Sequence, residues 1–151
     1  MKIKILFAKS YTLGGVFIRT ALFSDHNHVG VQVDDVVYDS TFKNGVAVSS
    51  IDEFYSDWRV TDELWISVPD GEGLLKFLQD QLGKKYDWKA VVSLPFRRNW
   101  HSPKRWMCSE LAAEALISGG VALPILSNRI TPRDLMFVVP TCARVIEKRS
   151  I

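Results

Sequence analysis

Two apolar, β-branched runs separated by only two residues restrict the fold of this chain more than any other feature. His28–Val33 has the sequence HVGVQV, Val36–Ser40 has the sequence VVYDS, and Asp34-Asp35 lies between them. Alternating side chains of this kind predict strands, and a two-residue polar connection favours a tight antiparallel hairpin. The sequence therefore predicts an antiparallel sheet in the first third of the chain.

Further strands and helices extend this hairpin into a mixed architecture. The other predicted strands are Lys2–Ala8, Gly45–Val48, Glu63–Val68, Phe137–Val139 and Ala143–Ile146. The predicted helices are a short one over Gly14–Ser24, a small one capped by Ser50 and Glu53, one from Gly73 to Leu82 before Gly83, one over Ser109–Ser118 before Gly119-Gly120, and one that begins at Thr131–Leu135. Strands come first and the helices are partly segregated, which favours the α+β class. Because no repeat or low-complexity linker divides the chain, we expect one domain over residues 1–151.

Composition excludes several classes of protein. The 151 residues carry a net charge of +2, which is too small to indicate nucleic-acid binding. Two cysteines cannot form a disulfide-dense scaffold, and this favours a reducing compartment. The apolar run Ile5–Ala8 is interrupted by Lys9 before it reaches the length of a signal peptide, and no run is long enough to span a membrane. We therefore expect a cytoplasmic protein with no signal peptide and no stable membrane insertion.

Cys108 is the candidate nucleophile. It lies in WMCSELAAEAL, at or just before the first turn of a predicted helix and shortly after Lys104 and Arg105. The unpaired N–H groups and positive dipole of a helix start stabilise a thiolate, and neighbouring cations do the same. The same N–H groups could donate to an oxyanion. The alternative is a small buried side chain on an Ala-rich helix, since free cysteines are usually buried.

His28 is the candidate general base, and Asp39 is the candidate residue that orients it. His28 begins the first strand of the hairpin and shares a face with Gly30. Asp39 lies on the paired strand, where its carboxylate could accept a hydrogen bond from the imidazole and fix the tautomer. Ser40 points to the opposite face. The alternatives are a structural strand histidine and a strand-end aspartate, and His26 in the polar turn SDHNH is expected to be a solvated loop residue.

A basic and aromatic stretch, Pro95–Trp106, precedes the cysteine. Its basic members are Arg97, Arg98, His101, Lys104 and Arg105. Such a loop could recognise an anionic or carboxylate-bearing substrate, and the alternative is a solvated cationic loop. No paired HxxxH or CxxC spacing and no glycine-rich phosphate loop are present, so we expect neither a metal nor a cofactor. Cys142, in VVPTCARVI, is expected to be a buried strand residue.

Four segments together resemble a known family. HVGVQVDDVVYDS, GKKYDW, WMCSELAAEAL and TPRDL occur in the order found in YiiX-like proteins of the circularly permuted branch of NlpC-type papain-like cysteine peptidases. The lecithin:retinol acyltransferase group shares this permutation, in which the histidine strand precedes the cysteine helix. The resemblance extends from about Gly14 to Pro140, and its HVG and CSEL elements are the most specific.

The resemblance implies a permuted papain-like fold, with an antiparallel sheet packed against helices and the nucleophile at a helix N-terminus. It makes Cys108 the nucleophile and His28 the base, and it places the third polar residue of the family at Asp39. The family more often has Glu or His there, and a shorter side chain reaches less far. Tyr86 of GKKYDW matches the family tyrosine near the cysteine, and with Ser109 it is the candidate substrate or oxyanion residue. Glu110 of CSEL is expected to act at the helix start through the dipole.

These expectations converge on an acyl-transfer enzyme that works through a thioester. The resemblance favours a peptide or other acyl-bearing small substrate, with an amide bond in a cell-wall peptide as the first candidate. An ester or thioester of a lipid is the alternative within the same chemistry, and hydrolysis and transfer to another acceptor both stay open. A non-catalytic binding or assembly module that retains the fold is the alternative from another class. The sequence does not predict the oligomeric state.

Overall fold

A computed structural model describes residues 1–10, 26–87, 104–124, 127 and 130–151 of the chain. The predicted helix over Gly14–Ser24 and most of the basic stretch Pro95–Trp106 lie outside these residues. Among the described residues, the strands and helices are β1 (Lys2–Lys9), β2 (His28–Val33), β3 (Val36–Thr41), β4 (Gly45–Ser50), α1 (Ile51–Asp57), β5 (Arg59–Ser67), α2 (Gly71–Gln81), β6 (Lys85–Tyr86), β7 (Arg105–Trp106), α3 (Cys108–Ser118), α4 (Pro132–Cys142) and β8 (Arg144–Ser150).

Six of these strands form one antiparallel sheet in the order β4-β3-β2-β1-β5-β8. The predicted hairpin is confirmed, because β2 pairs with β3 and Val33 lies opposite Val36. Asp34 in the turn has a φ of 51°, a left-handed conformation that Asp tolerates better than most residues. The two short strands β6 and β7 pair in parallel, apart from the main sheet.

Strand alternation gives the sheet two apolar faces. One face packs against α2, α3 and α4 and forms the larger core, with β1 and β2 contributing Ile3, Ile5, Phe7, Val29, Val31 and Val33. The opposite face is covered by α1, whose Phe54 packs with Leu6, Ala8, Val37 and Val60. A six-stranded antiparallel sheet packed against helices confirms the α+β class.

The helix-start signals in the sequence are confirmed where the structure describes them. Ser50 and Glu53 form a capping box at α1, and Thr131 forms another with Asp134 at α4. Helix α2 begins two residues before the predicted Gly73, with Asp70 as its N-cap. Helix α3 begins at Cys108, one residue before the predicted start, and ends at Ser118, with the predicted Gly119 as its C-cap.

The prediction of a strand over Phe137–Val139 is wrong, because these residues belong to α4. The capping box and Pro132 at the first helical position fix the helix, and this outweighs the β-propensity of the two adjacent valines. Leu135 and Val139, four residues apart, are buried, whereas Phe137 is 64% exposed. Cys142 accordingly lies at the end of a helix and is half-buried, so its prediction as a buried strand residue is also wrong.

The last strand, β8, is longer than the predicted Ala143–Ile146 and forms an exposed edge of the sheet. Among the residues that the structure describes, no helix has both the length and the apolar character needed to cross a membrane.

Candidate active site

The candidate nucleophile, Cys108, is the first residue of α3, and its side chain is buried. The first intrahelical hydrogen bond runs from the Leu111 N–H to the Met107 carbonyl. The N–H groups of Cys108 and Ser109 precede that bond, so they have no acceptor within the helix. Helix α3 packs against β2 and β3, which carry the other candidate residues.

The register of the hairpin places the histidine and the aspartate on the same face of the sheet. Asp39 lies opposite Gly30, and His28 is two residues from Gly30 on the same strand. The His28 Nε2–H donates to Asp39 Oδ2 over 2.7 Å, and both side chains are buried. The shorter aspartate therefore reaches the imidazole. Ser40, on the other face, donates to the Trp106 carbonyl instead.

Cys108 also acts on the imidazole of His28. Burial alone would lower the pKa of His28, but the hydrogen bond with Asp39 and the proximity and negative charge of Cys108 and Asp39 raise it to about 9. His28 is therefore an imidazolium at neutral pH. Because Asp39 occupies Nε2, Nδ1 is the nitrogen that remains for Cys108.

Two aromatic side chains that the sequence did not single out hold the His28 ring. The Trp58 indole stacks on the imidazole with ring centroids 3.8 Å apart and an interplanar angle of 12°. Phe54 stacks less closely, at 5.9 Å. Both aromatic residues and Asp39 line a cavity of about 370 Å³. An aromatic face against an imidazolium is a favourable cation–π contact, so Trp58 both orients the ring and favours its charged form.

Space for this aromatic packing depends on Gly30. A Cβ atom at this position would lie 2.6 Å from Val37 Cγ1 and 2.9 Å from the Phe54 ring. The HVG element therefore combines the histidine with a residue small enough for Phe54 to lie beside it. This is a packing reason for a glycine in the middle of a buried strand.

The two candidate substrate residues are positioned near the cysteine in different ways. Ser109 follows Cys108 in the chain, and Tyr86 lies on β6, which pairs with β7 just before the cysteine. Tyr86 pairs with Trp106, two residues before Cys108. Burial, the charge of Cys108 and the charge of Asp87 all raise the pKa of Tyr86. The Ser109 hydroxyl donates to the Ile130 carbonyl over 2.7 Å, so the part of Ser109 that remains for an oxyanion is its backbone N–H.

Glu110 caps the start of α3, but mostly as a neutral carboxyl group and not through the expected interaction of its charge with the helix dipole. Its carboxyl accepts a hydrogen bond from the Met107 N–H and is buried. Burial raises the pKa of Glu110 to about 8, against the lowering effect of the Met107 hydrogen bond, and Asp87 and Glu114 raise it further. Glu110 is therefore mostly protonated at neutral pH, and it caps the helix by hydrogen bonding more than by its charge.

The prediction that His26 is a solvated loop residue is wrong. His26 is buried, its Nε2 lies 2.8 Å from Asp62 Oδ2, and its ring packs edge-on against Phe7. The polar sequence around it gave no sign of the partner, because Asp62 lies 36 residues further along the chain on β5. The chain thus contains a second His–Asp pair, which is partly buried.

The structure therefore pairs His28 with Asp39 and leaves Cys108 near enough to act on the pKa of both His28 and Tyr86, with Ser109 next to the cysteine in the chain. Trp58 and Phe54 are the neighbours that sequence reasoning missed. Their contacts with the imidazole come from helix α1 and its C-cap, and no local motif encodes them. Within the described ranges, no three His, Cys, Asp or Glu side chains are grouped so that they could hold a metal ion.

Comparison with known proteins identifies a similar fold and no family. No family model matches the sequence, and no curated protein matches it. The chain is similar to a solved structure described as metalloprotein yiiX from Escherichia coli O157:H7, DUF1105, with a TM-score of 0.63 and 15% sequence identity. The similarity covers 98% of this chain and 97% of that one. The chain therefore has a YiiX-like fold.

Proposed function

We propose that this protein is a cysteine hydrolase of the permuted, NlpC-type papain-like class, with Cys108, His28 and Asp39 as its catalytic triad. The observation that carries the proposal is the buried His28–Asp39 hydrogen bond, together with a buried Cys108 whose charge acts on the His28 imidazole. A nucleophile beside a base that a third group orients is the general arrangement of covalent acyl-transfer catalysis. The order of the segments, which resembles that of YiiX-like proteins, favours the same class, and the similarity to yiiX extends to the fold alone.

The arrangement suggests the first half of the reaction. Cys108 acts as the nucleophile beside the His28 imidazolium, and its thiolate Sγ attacks the substrate carbonyl to form a tetrahedral intermediate. The N–H groups of Cys108 and Ser109 at the start of α3 are positioned to stabilise the oxyanion. His28 then gives its proton to the leaving nitrogen, the carbon–nitrogen bond breaks, and a thioester on Cys108 remains.

The second half reverses the role of the histidine. His28, now neutral, takes a proton from a water molecule, and the hydroxide attacks the thioester carbonyl. Collapse of this second intermediate breaks the carbon–sulfur bond, releases the carboxylic acid and restores the thiolate beside the imidazolium. Throughout the cycle the hydrogen bond to Asp39 keeps Nδ1 directed at the sulfur.

For the bond that is cleaved we propose an amide in a cell-wall peptide, as in the peptidases that the motifs resemble. The name of yiiX describes that protein as a metalloprotein. Among the described residues of this chain, no three His, Cys, Asp or Glu side chains are grouped so that they could hold a metal ion. The proposed steps therefore use only side chains, backbone N–H groups and water. A chelator control in every assay tests this part of the proposal.

Trapping of the acyl-enzyme tests the function. We expect 4-nitrophenyl acetate to release a burst of one nitrophenolate per chain, and peptide mapping to find the acetyl group on Cys108. Cys108→Ala should abolish the burst, and His28→Ala should slow it by several orders of magnitude, as losses of triad members do elsewhere. The matched control is Cys142→Ala, which should leave the burst intact.

Two results would reject the proposal. One is acetylation spread over lysines or located on Cys142, which would mean that Cys108 is not the nucleophile. The other is a burst of wild-type size in a folded Cys108→Ala protein. In either case a non-catalytic binding module that retains the fold would become the better account of the same structure.

A further inference from the structure

A second cavity, of about 440 Å³, lies at the turn between β3 and β4. Its walls come from this turn, from the segment between α2 and β6, and from β7. The residues that line it are Phe42, Lys43, Asn44, Gly45, Gly83, Lys84, Lys85, Tyr86 and Arg105. The volume is within the range of small-molecule sites. We call this the basic cavity.

The charge of the basic cavity is one-sided. Lys43, Lys84, Lys85 and Arg105 line it, and no described lining residue is acidic. The whole chain has 19 lysines and arginines against 17 acidic residues, a net charge of only +2. Four cations without a carboxylate are therefore a local concentration of positive charge, and they do not reflect the average composition.

These cations are available for a ligand. Lys84 donates to Gln81 Oε1, a neutral acceptor, and its ammonium lies 5.8 Å from the centre of the Trp106 ring. Among the described residues, no acidic side chain pairs with Lys43, Lys85 or Arg105. The positive charge of the cavity is thus not neutralised by the described part of the protein.

The backbone beneath the cavity is fixed. The Val46 N–H donates to the Lys84 carbonyl over 2.8 Å, and the Gly83 N–H donates to the Val46 carbonyl over 2.9 Å. Gly45 has a φ of +67°, and a Cβ there would lie 2.3 Å from the Lys84 carbonyl oxygen. Only glycine permits this close approach, so the turn carrying Lys43 is held against the segment carrying Lys84 and Lys85.

Aromatic side chains connect the basic cavity to the candidate active site. Phe42, at the rim, is 80% exposed and contacts Tyr86 edge-on. Tyr86 lines the cavity and pairs through its backbone with Trp106, which is two residues before Cys108. The cavity therefore adjoins the strand that leads directly into the nucleophile.

We propose that the basic cavity binds an anionic group, a carboxylate or a phosphate, on the molecule whose acyl group Cys108 accepts. This inference rests on the proposed function and adds the substrate class to it. Arg105 offers the paired N–H donors that match a carboxylate or phosphate, and the lysines add charge at the mouth. Phe42 and Tyr86 contact the apolar part of the same molecule.

Matched activated esters test the inference on the full chain. On the acyl side, mono-4-nitrophenyl esters of glutarate, adipate and suberate are compared with their neutral methyl esters. On the leaving side, 3-carboxy-4-nitrophenyl acetate is compared with 4-nitrophenyl acetate. A third arm replaces the terminal carboxylate with a phosphonate and decides between the two anions. The readout is the ratio of the anionic to the neutral rate of Cys108 acylation.

We expect this ratio to be highest for one chain length or one side of the ester. In the double variant Lys43→Gln/Lys85→Gln it should fall by about tenfold, and in the wild type it should also fall as salt increases. Both lysines are exposed, so the substitutions remove charge without disturbing the core. Lys148→Gln, an exposed lysine on the opposite edge strand, is the matched control and should leave the ratio unchanged.

The outcomes separate the two proposals. Suppose that Cys108 is acylated and that the ratio of the anionic to the neutral rate is the same in the wild type and in the double variant for every ester. The basic cavity then does not bind the substrate. An equal loss in Lys148→Gln would also overturn the inference, because it would show a general effect of net charge. If no ester acylates Cys108, the proposed function itself fails.

Discussion

Replacing Asp39 with Asn tests the electrostatics of the candidate active site. The carboxylate lies 2.7 Å from His28 Nε2, and the amide keeps its size while removing its charge. A rise in the pKa of His28 from 6.5 to about 9 corresponds to about 3 kcal/mol in favour of the imidazolium in the folded chain. Because burial opposes this rise, the variant should lower the pKa of His28 by about 1 to 3, toward its ordinary value.

The pH dependence of stability follows from the same pKa. The pKa of His28 is higher in the folded chain than in the unfolded one, so its contribution is complete below pH 6.5 and disappears as the pH rises through about 9. We therefore expect Asp39→Asn to be less stable than the wild type by about 1 to 3 kcal/mol at pH 6. Toward pH 10 this pH-linked part of the difference should vanish.

Two measurements check this prediction. NMR titration of the imidazole Cε1–H signals gives the pKa of His28 directly, since the chain has only three histidines. Urea unfolding of the wild type and the variant at pH 6 and pH 10 gives the difference in stability. Asp62→Asn, which alters the partly buried His26–Asp62 pair, is the matched control and should leave the pKa of His28 unchanged. A pKa of His28 that stays near 9 in Asp39→Asn would refute the reasoning.

Two further substitutions test the surroundings of the triad. Trp58→Leu removes the aromatic face on His28, so acylation of Cys108 should slow by about 3- to 30-fold and the pKa of His28 in the pH–rate profile should fall. Trp58→Phe should restore part of both effects. A slower rate with an unchanged pH–rate profile would argue against a contact with the imidazolium. Glu110→Gln keeps an oxygen acceptor for the Met107 N–H and removes the ionisation. Because the pKa of Glu110 is raised from 4.5 to about 8 in the folded chain, the wild type should lose stability as the pH rises across that interval, and the variant should lose less. Urea unfolding at pH 5 and pH 8.5 measures this loss, and equal losses in the two proteins would contradict the prediction.

Local signals were sufficient for much of the fold. The hairpin followed from the two residues between β2 and β3, and the capping box at Ser50 and the Thr131-Pro132 helix entry located the starts of α1 and α4. Strand alternation also placed His28 and Asp39 on one face, because each residue's face is set by its parity along the strand. These features depend on residues close together in the sequence.

The errors came from competition between local signals and from long-range contacts. At Phe137–Val139 two β-branched residues favoured a strand, but the capping box upstream had already committed the chain to a helix. His26 is buried because β5 brings Asp62 to it. Neither outcome could be predicted from the neighbouring residues alone.

The basic cavity and the aromatic support of His28 illustrate the same limit. Trp58 stacks on a residue 30 positions earlier in the chain, and Arg105 joins Lys43 and Lys85 from three separate segments. The sequence drew attention to cations before the cysteine, yet Lys43 carried no motif. Tertiary assembly, and not local pattern, creates these sites.

The relative reactivity of the two cysteines tests the central claim most directly. Cys108 is only 3% exposed, whereas Cys142 is half-buried, and burial raises the pKa of Cys142. Exposure alone would therefore make Cys142 the faster thiol toward iodoacetamide. If His28 activates Cys108, Cys108 is alkylated faster than Cys142 well below pH 8, and His28→Ala reverses that order. Faster alkylation of Cys142 in the wild type at every pH would contradict the account.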